Sequence, residues 1–296
     1  MTLVQIIKLA IMASVFLLVF AIGLNATFRD VNCLFRRPGL LARSLLSMNL
    51  VMPLFAVALA LLFKIDPAIK IALVALALSP VPPLLPRRLA KAGGSEDYTI
   101  GLLAAAAAAA IIVIPLGIAV LEYTLDRELN VSPVRVASLV LVTVLVPLMA
   151  GVLAHRVSPE LAGKIAHPIS RFATIVLVVA VLPILFIASK AIWALLGNGM
   201  VVCLALFIVV GLVVGHLLGG PVASDRTVLA IATAIRHPGM ALSIATMSFP
   251  GEKEVMPVIA CYLIVGVAVS LPYIKWRSRT HAAAQSGFGG PTPTHA

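Results

Sequence analysis

An arginine and a histidine lie in the middle of an otherwise apolar stretch, TVLAIATAIRHPGMALSIATMSFP. Arg236 and His237 are followed at once by Pro238 and Gly239, and proline removes a backbone donor and clashes with the preceding helical turn. If this stretch crosses a bilayer, the arginine costs at least about 2.5–3.5 kcal/mol there. An arginine is kept at such a place only if a favourable interaction offsets this cost. The stretch is therefore a candidate ligand-binding site, or a place where Arg236 holds the protein's own segments together.

A second apolar stretch, IKIALVALALSPVPPLLPRRLAKAGG, is interrupted by prolines rather than by charge. After Ser79, four prolines fall within seven residues, a density that ends a helix rather than kinking it. They are Pro80, Pro82, Pro83 and Pro86. Interrupted spans at corresponding places in two halves of a chain are typical of a transporter's binding site. Two unrelated proline kinks are the alternative interpretation.

Three polar residues could line a path beside these interruptions. Asn49 lies in an earlier apolar stretch, and Thr233 and Ser243 flank the second interruption. Such side chains also serve as packing and interhelical hydrogen-bonding groups in membranes, so each has that second interpretation.

Carboxylates are missing from the interiors of the apolar stretches. All eleven acidic residues fall in predicted loops or at the ends of predicted spans. The three cysteines are scattered and the six histidines lack ligand spacing, so neither a metal nor a cofactor is predicted. An intramembrane enzyme would need a nucleophile with a base, paired aspartates or a metal motif, and a channel would need rings of charge or filter loops. No such pattern is visible.

The elements that must position these residues are membrane helices. Of 296 residues, 61% are hydrophobic and 11% charged, compared with about 45–50% and about 25% in soluble domains. Windows of roughly 20 apolar residues recur along the chain, which predicts an all-α polytopic membrane protein with nine spans. The predicted limits are 4–26, 44–63, 68–91, 98–121, 135–154, 172–193, 199–218, 227–249 and 255–275.

The third and eighth spans are the interrupted ones, and their places suggest a repeat. If spans 5–9 form one five-helix repeat and spans 1–4 form the same repeat without its first helix, each interruption falls in a fourth helix. The two halves are then offset by five helices, an odd number, which predicts inverted repeats.

The basic residues of alternate loops predict the orientation. Loops on one side hold about twice as many Lys and Arg as loops on the other, and the richer side is cytoplasmic. The N-terminus is therefore predicted outside, and the C-terminus inside, a cell (inner) membrane. The net charge of +11 belongs to these loops, so no nucleic-acid partner is predicted. Residues 1–276 are predicted to form one transmembrane domain and the Gly/Pro-rich tail 277–296 to be disordered.

Four segments resemble the bile acid:sodium symporter family, in a nine-span form that lacks the first helix. They are MASVFLLVFAIGLNATFRD, RRPGLLARSLLSMNLVMPLFAVALA, ALALSPVPPLLPRRLAKAGGSEDYTIGL and ATAIRHPGMALSIATMSFP. The resemblance implies a panel of spans 1, 5 and 6, a core of spans 2–4 and 7–9, and two half-helix pairs that cross at the centre. It also implies alternating-access transport of organic anions, either bile-acid-like or other organic acids.

The positions that would hold sodium by this resemblance are replaced here. They are occupied by Leu85, Pro86, Ala232, Arg236 and His237. Hard cations prefer oxygen ligands, which these side chains do not supply. Sodium coupling by the family's usual sites is therefore not expected.

Arg236 could instead act as a built-in cation in place of sodium. Its partner could be carbonyl groups at the C-terminal ends of half-helices, an anionic substrate, or both in turn; a purely structural tie is the alternative. His237 could couple transport to protons, because an unperturbed histidine titrates near pH ~6.5, or could be neutral and bonded to nearby backbone. The prediction is a secondary transporter of a small organic anion; a non-transporting sensor or an uncoupled facilitator of the same fold stays open.

Overall fold

A computed structural model describes residues 3–82, 89, 92–125, 138, 140–195, 199–249, 251, 252 and 254–286, and there the protein consists of helices and the turns that connect them. Seven helical segments are long and apolar enough to cross a membrane, and two shorter apolar segments accompany them. The seven are Gln5–Gly23, Pro38–Leu62, Glu96–Ala119, Pro159–Pro183, Met200–Leu218, Ala223–Ser248 and Val255–Ala282; the two shorter ones are Pro67–Leu78 and Leu141–Val157. Many large apolar side chains on these helices are exposed, as a lipid-facing surface requires.

The helices are labelled α1 to α12 in chain order. They are α1 (Leu3–Gly23), α2 (Phe28–Val31), α3 (Pro38–Leu46), α4 (Met52–Leu62), α5 (Pro67–Leu78), α6 (Glu96–Leu125), α7 (Val146–Val157), α8 (Pro159–Leu195), α9 (Met200–Leu218), α10 (Ala223–Ala234), α11 (Pro238–Ser248) and α12 (Val255–Ser286). Each of the nine predicted spans overlaps one or two of them.

Helix α8 shows why hydropathy alone misplaced one boundary. The predicted sixth span begins at 172, whereas α8 begins at Pro159. Its first turns carry charged residues and score as loop, yet Ala162 and Ala166 are buried against Leu24 at the end of α1. The start of α8 is too polar to be recognised as a membrane span, and the burial of these small side chains stabilises it as a helix.

Two π-helical turns precede prolines inside apolar helices. Ser47–Val51 joins α3 to α4, and Leu141–Leu145 leads into α7. In each, a backbone N–H donates five residues back, from Met52 to the oxygen of Ser47 in the first turn. The prolines that follow, at positions 53 and 147, lack an N–H group, and such a turn lets the helix continue past the missing donor.

Glycines bring two pairs of helices into close contact. Gly23 of α1 lies against Gly151 of α7, where a Cβ on Gly23 would fall 2.9 Å from the Cα of Gly151. Along α9, Gly211 and Gly215 lie against α10, and a Cβ on Gly215 would fall 2.5 Å from the Cα of Ala230. Helices α1, α7 and α8 pack together, while α5 and α9–α12 form a second packed group that α8 meets through α12.

The tail differs from the prediction of disorder from residue 277. Helix α12 continues to Ser286. Arg277 explains this difference, because its Nε donates to the Thr227 hydroxyl at 2.8 Å and its Nη2 to the Ala223 oxygen at 2.7 Å, both on α10. His281 also packs over Gly93, whose positive φ of 72° suits glycine. Residues 287–296 lie outside the described part.

Candidate functional site

The two proline-bearing segments meet inside the protein. Helix α5 ends at Leu78, and Ser79 takes up an extended conformation with φ −73° and ψ 147°. Helix α10 ends at Ala234, and α11 begins at Pro238. The backbone N–H of His237, in the gap between them, donates to the carbonyl oxygen of Pro80 at 2.9 Å. The non-helical residues of one segment thus hydrogen-bond to those of the other.

Arg236 is fully buried at this crossing, with 0% of its surface exposed. Its Nε donates to the Leu76 oxygen at 3.3 Å and its Nη2 to the Ala77 oxygen at 2.6 Å. These carbonyl groups belong to the last turn of α5, where no following helical turn supplies N–H donors. The same turn carries the negative end of the helix dipole. Within the described part of the chain, Nη1 of Arg236 has no hydrogen-bond partner.

Tyr262 on α12 holds the backbone of the gap in place. Its hydroxyl accepts from the Arg236 backbone N–H at 2.7 Å and donates to the Ala234 oxygen at 2.9 Å. Its ring lies edge-on to Phe207 with centroids 6.4 Å apart. One side chain thereby satisfies a donor and an acceptor that the end of α10 leaves open.

His237 caps the helix that follows it. Its Nδ1 accepts from the backbone N–H of Met240 at 3.3 Å, the role that an N-cap side chain plays for the first turn. A ring nitrogen that accepts carries no proton, so in this arrangement the imidazole is neutral and its proton is on Nε2.

A set of hydroxyl groups runs from α6 to α10 beside the crossing. The Tyr98 hydroxyl lies 2.8 Å from the Ser44 hydroxyl, and the Ser47 hydroxyl lies 3.1 Å from that of Thr233. Ser47 also donates to the Ser44 carbonyl oxygen at 2.9 Å. Of these residues, sequence reasoning singled out Thr233 alone. Ser44, Ser47, Tyr98 and Tyr262 were missed because single hydroxyl groups in apolar helices leave no spacing signal.

The remaining predicted site residues separate into several environments. Ser79 is buried and donates to the Leu76 oxygen at 2.8 Å, whereas Ser243 donates to the Gly239 oxygen of its own helix at 3.0 Å. Asn49 is half-buried in the π-helical turn that leads into α4. Pro80, Pro82 and Ala232 are buried, and Pro238 and Gly239 form the first turn of α11. Pro83, Leu85 and Pro86 lie outside the described residues.

Carboxylates of the described residues stay away from the crossing, although one is buried. Asp225, in the first turn of α10, is 2% exposed and pairs with Arg37 at 2.8 Å. The described residues contain no group of three or more His, Cys, Asp or Glu side chains that could hold a metal ion. The positive charge that contacts the end of α5 in the described part of the chain is that of Arg236.

Several long apolar helices with a buried polar crossing between them define a polytopic membrane protein. The chain matches the model of the Sodium Bile acid symporter family over residues 12–195, and it belongs to that family. Family membership implies a secondary transporter of bile-acid-like or related solutes rather than an enzyme. The match ends before α9, so the Arg236 segment lies beyond it. A comparison with curated proteins finds no match.

Proposed function

We propose that the protein moves a small organic anion by alternating access and does not use sodium bound at the family's usual positions. The observation that carries the proposal is the Arg236 guanidinium group, which donates to the Leu76 and Ala77 oxygens at the end of α5. A cation of the protein's own already lies against backbone oxygens that a mobile cation would otherwise neutralise.

The charges at the crossing favour an anionic solute. The C-terminal ends of α5 and α10 each contribute about −0.5 charge, the N-terminal end of α11 contributes about +0.5, and the guanidinium group adds one positive charge. The sum is positive by roughly half a charge. Because Nη1 of Arg236 has no partner within the described part, it is the donor we assign to a substrate carboxylate or sulfonate.

His237 contributes to the crossing as a neutral group. Its Nδ1 accepts from Met240, and a proton placed there would remove the cap of α11. We therefore do not assign proton coupling to His237, and we propose transport that is driven by the substrate gradient.

The moving boundary in this proposal runs between two groups of helices. Helices α1, α7 and α8 correspond to spans 1, 5 and 6, the proposed panel, and they pack chiefly on one another. The core would be the remaining helices, with two inverted repeats that cross where His237 meets Pro80. A panel held together by close glycine contacts, such as Gly23 with Gly151, suits rigid-body motion.

Transport into proteoliposomes tests the proposal. Uptake of radiolabelled taurocholate, as the bile-acid probe, and of a series of smaller carboxylates is measured in sodium chloride and in choline chloride of equal ionic strength. We expect at least one anion to enter at the same rate in both salts and to equilibrate without accumulating. Protein-free liposomes and the Arg236→Gln variant are the controls.

Each alternative has its own result in this assay. Uptake that requires sodium would overturn sodium independence, and accumulation driven by an inward proton gradient would overturn substrate-gradient transport. Anions that raise the unfolding temperature of the purified protein without entering the vesicles would identify a sensor instead of a transporter.

A further inference from the structure

An apolar groove opens on the membrane-facing side of the protein between α9 and α12, away from the crossing. It has a volume of about 250 Å³ and is lined by Leu212, Val213, His216, Leu217, Tyr273 and Trp276. Leu217 and Trp276 are 74% and 50% exposed. Residues this exposed on helices of membrane length meet lipid rather than the protein interior.

The mouth of the groove is polar and aromatic. His216 Nδ1 and the Tyr273 hydroxyl are 2.8 Å apart, and the Trp276 ring lies 5.6 Å from each of their rings, centroid to centroid. Aromatic side chains with one polar edge concentrate at the level of lipid headgroups. The cluster therefore places this end of the groove at a membrane surface.

Positive charge surrounds that mouth. Arg277 lies over the Trp276 ring with its guanidinium carbon 5.4 Å from the centroid, and Lys275 and Arg279 are exposed within one turn of Trp276. Helix α12 contains no acidic residue from Val255 to Ser286. Asp225, in the first turn of the neighbouring α10, is paired with Arg37.

We propose that this groove binds one anionic phospholipid. Its acyl chain lies along Leu212, Val213 and Leu217, and its phosphate group lies at the level of Trp276 beside the exposed Lys275 and Arg279. An apolar groove that opens beneath a basic, aromatic mouth complements a molecule with an apolar chain and a negative head. A basic residue near a membrane surface favours an anionic lipid about fivefold.

Fluorescence quenching by brominated lipids tests this site directly. The chain has two tryptophans, so the full-length Trp193→Phe variant leaves Trp276 as the reporter. The protein is placed in phosphatidylcholine vesicles that contain either brominated phosphatidylglycerol or brominated phosphatidylcholine with the same acyl chains. We expect the phosphatidylglycerol to quench Trp276 with an apparent affinity about fivefold higher.

Two variants serve as controls. In Trp276→Phe, the remaining reporter Trp193 is 75% exposed at the end of α8, beyond the groove, and should show a much smaller headgroup preference. In Lys275→Gln/Arg279→Gln, both changed side chains are exposed, so the fold is retained and the preference of Trp276 should fall toward unity.

The other occupants give different outcomes. Equal quenching by both lipids would show unselective lipid contact and overturn the proposal. Trp276 shielded from both lipids would show that a second copy of the chain covers the groove, which also overturns it. Loss of the preference in excess inorganic phosphate at matched ionic strength would assign the basic mouth to a free anion instead.

Discussion

Arg236 combines two properties that a single substitution can separate, a positive charge and a set of hydrogen-bond donors. The donors reach Leu76 and Ala77, and the charge opposes the negative end of the α5 dipole. A hydrogen bond from a charged donor contributes about 1.5–3 kcal/mol, more than a neutral one.

We expect Arg236→Gln to lower the free energy of unfolding by about 1.5–3 kcal/mol and Arg236→Lys to lower it clearly less, because lysine keeps the charge. Thermal unfolding of the purified variants in detergent measures this difference. Sodium should raise the unfolding temperature of Arg236→Gln relative to choline and leave the wild type unchanged. A sodium-insensitive Arg236→Gln variant would contradict the built-in cation.

His237 stabilises the first turn of α11 through its acceptor nitrogen. A side chain that accepts a hydrogen bond but does not titrate therefore tests the cap separately from proton binding. His237→Ala should lower the free energy of unfolding by about 0.5–2 kcal/mol, whereas His237→Asn, which keeps a capping acceptor, should lower it by a few tenths. Thermal unfolding measures both. The pH dependence of uptake should be the same in wild type and His237→Asn; a changed profile would restore proton coupling through this residue.

At the scale of elements, the contact of α9 with α10 depends on the absence of side chains. A Cβ on Gly215 would fall 2.4 Å from the Leu229 oxygen and 2.5 Å from the Ala230 Cα. Because both neighbours are backbone atoms, neither can move away by changing its rotamer, as a flexible side chain could.

Gly215→Ala should therefore force the two helices apart and cost about 1–3 kcal/mol of stability. Gly163→Ala is the matched control, because this glycine is also helical and a Cβ there meets nothing within 4 Å. The control should stabilise the protein by about 0.4–1 kcal/mol. Unfolding temperatures of the two variants should move in opposite directions, and equal shifts would contradict the close contact.

At the scale of the whole molecule, the orientation is a prediction that rests on the charge in the loops and on the number of crossings. The Arg277, Lys275 and Arg279 end of α12 is the basic end, and basic ends stay in the cytoplasm. Nine and seven crossings are both odd numbers, so the N-terminus lies outside if the short segments Pro67–Leu78 and Leu141–Val157 both cross or if neither does, and the predicted nine spans require both.

A green fluorescent protein fused after Ala296 should therefore fluoresce, since it folds in the cytoplasm, and alkaline phosphatase fused there should be inactive. The reverse pattern at this position would contradict the predicted orientation. Fusion of the phosphatase after Lys64, in the loop before α5, should give an active enzyme and is the matched control.

The sequence by itself indicated nine apolar helical stretches and the places where two of them are interrupted. Prolines interrupt an apolar helix because they lack a backbone donor, and a central arginine does so because a buried charge is costly. Both effects depend only on residues that are near one another in the sequence. The carbonyl groups of a helix end were also foreseen as one possible partner of Arg236.

Only the tertiary structure decided which groups meet. The bonds of Arg236 to Leu76 and Ala77, of Tyr262 to Ala234, and of Arg277 to α10 each join residues distant in sequence or on different helices. Such contacts depend on helix positions that no local pattern specifies. Helix α12 continues to Ser286, where composition alone predicted disorder, and there Arg277 bonds to α10 and His281 packs over Gly93. Packing and hydrogen bonding to other elements outweigh a weak local preference.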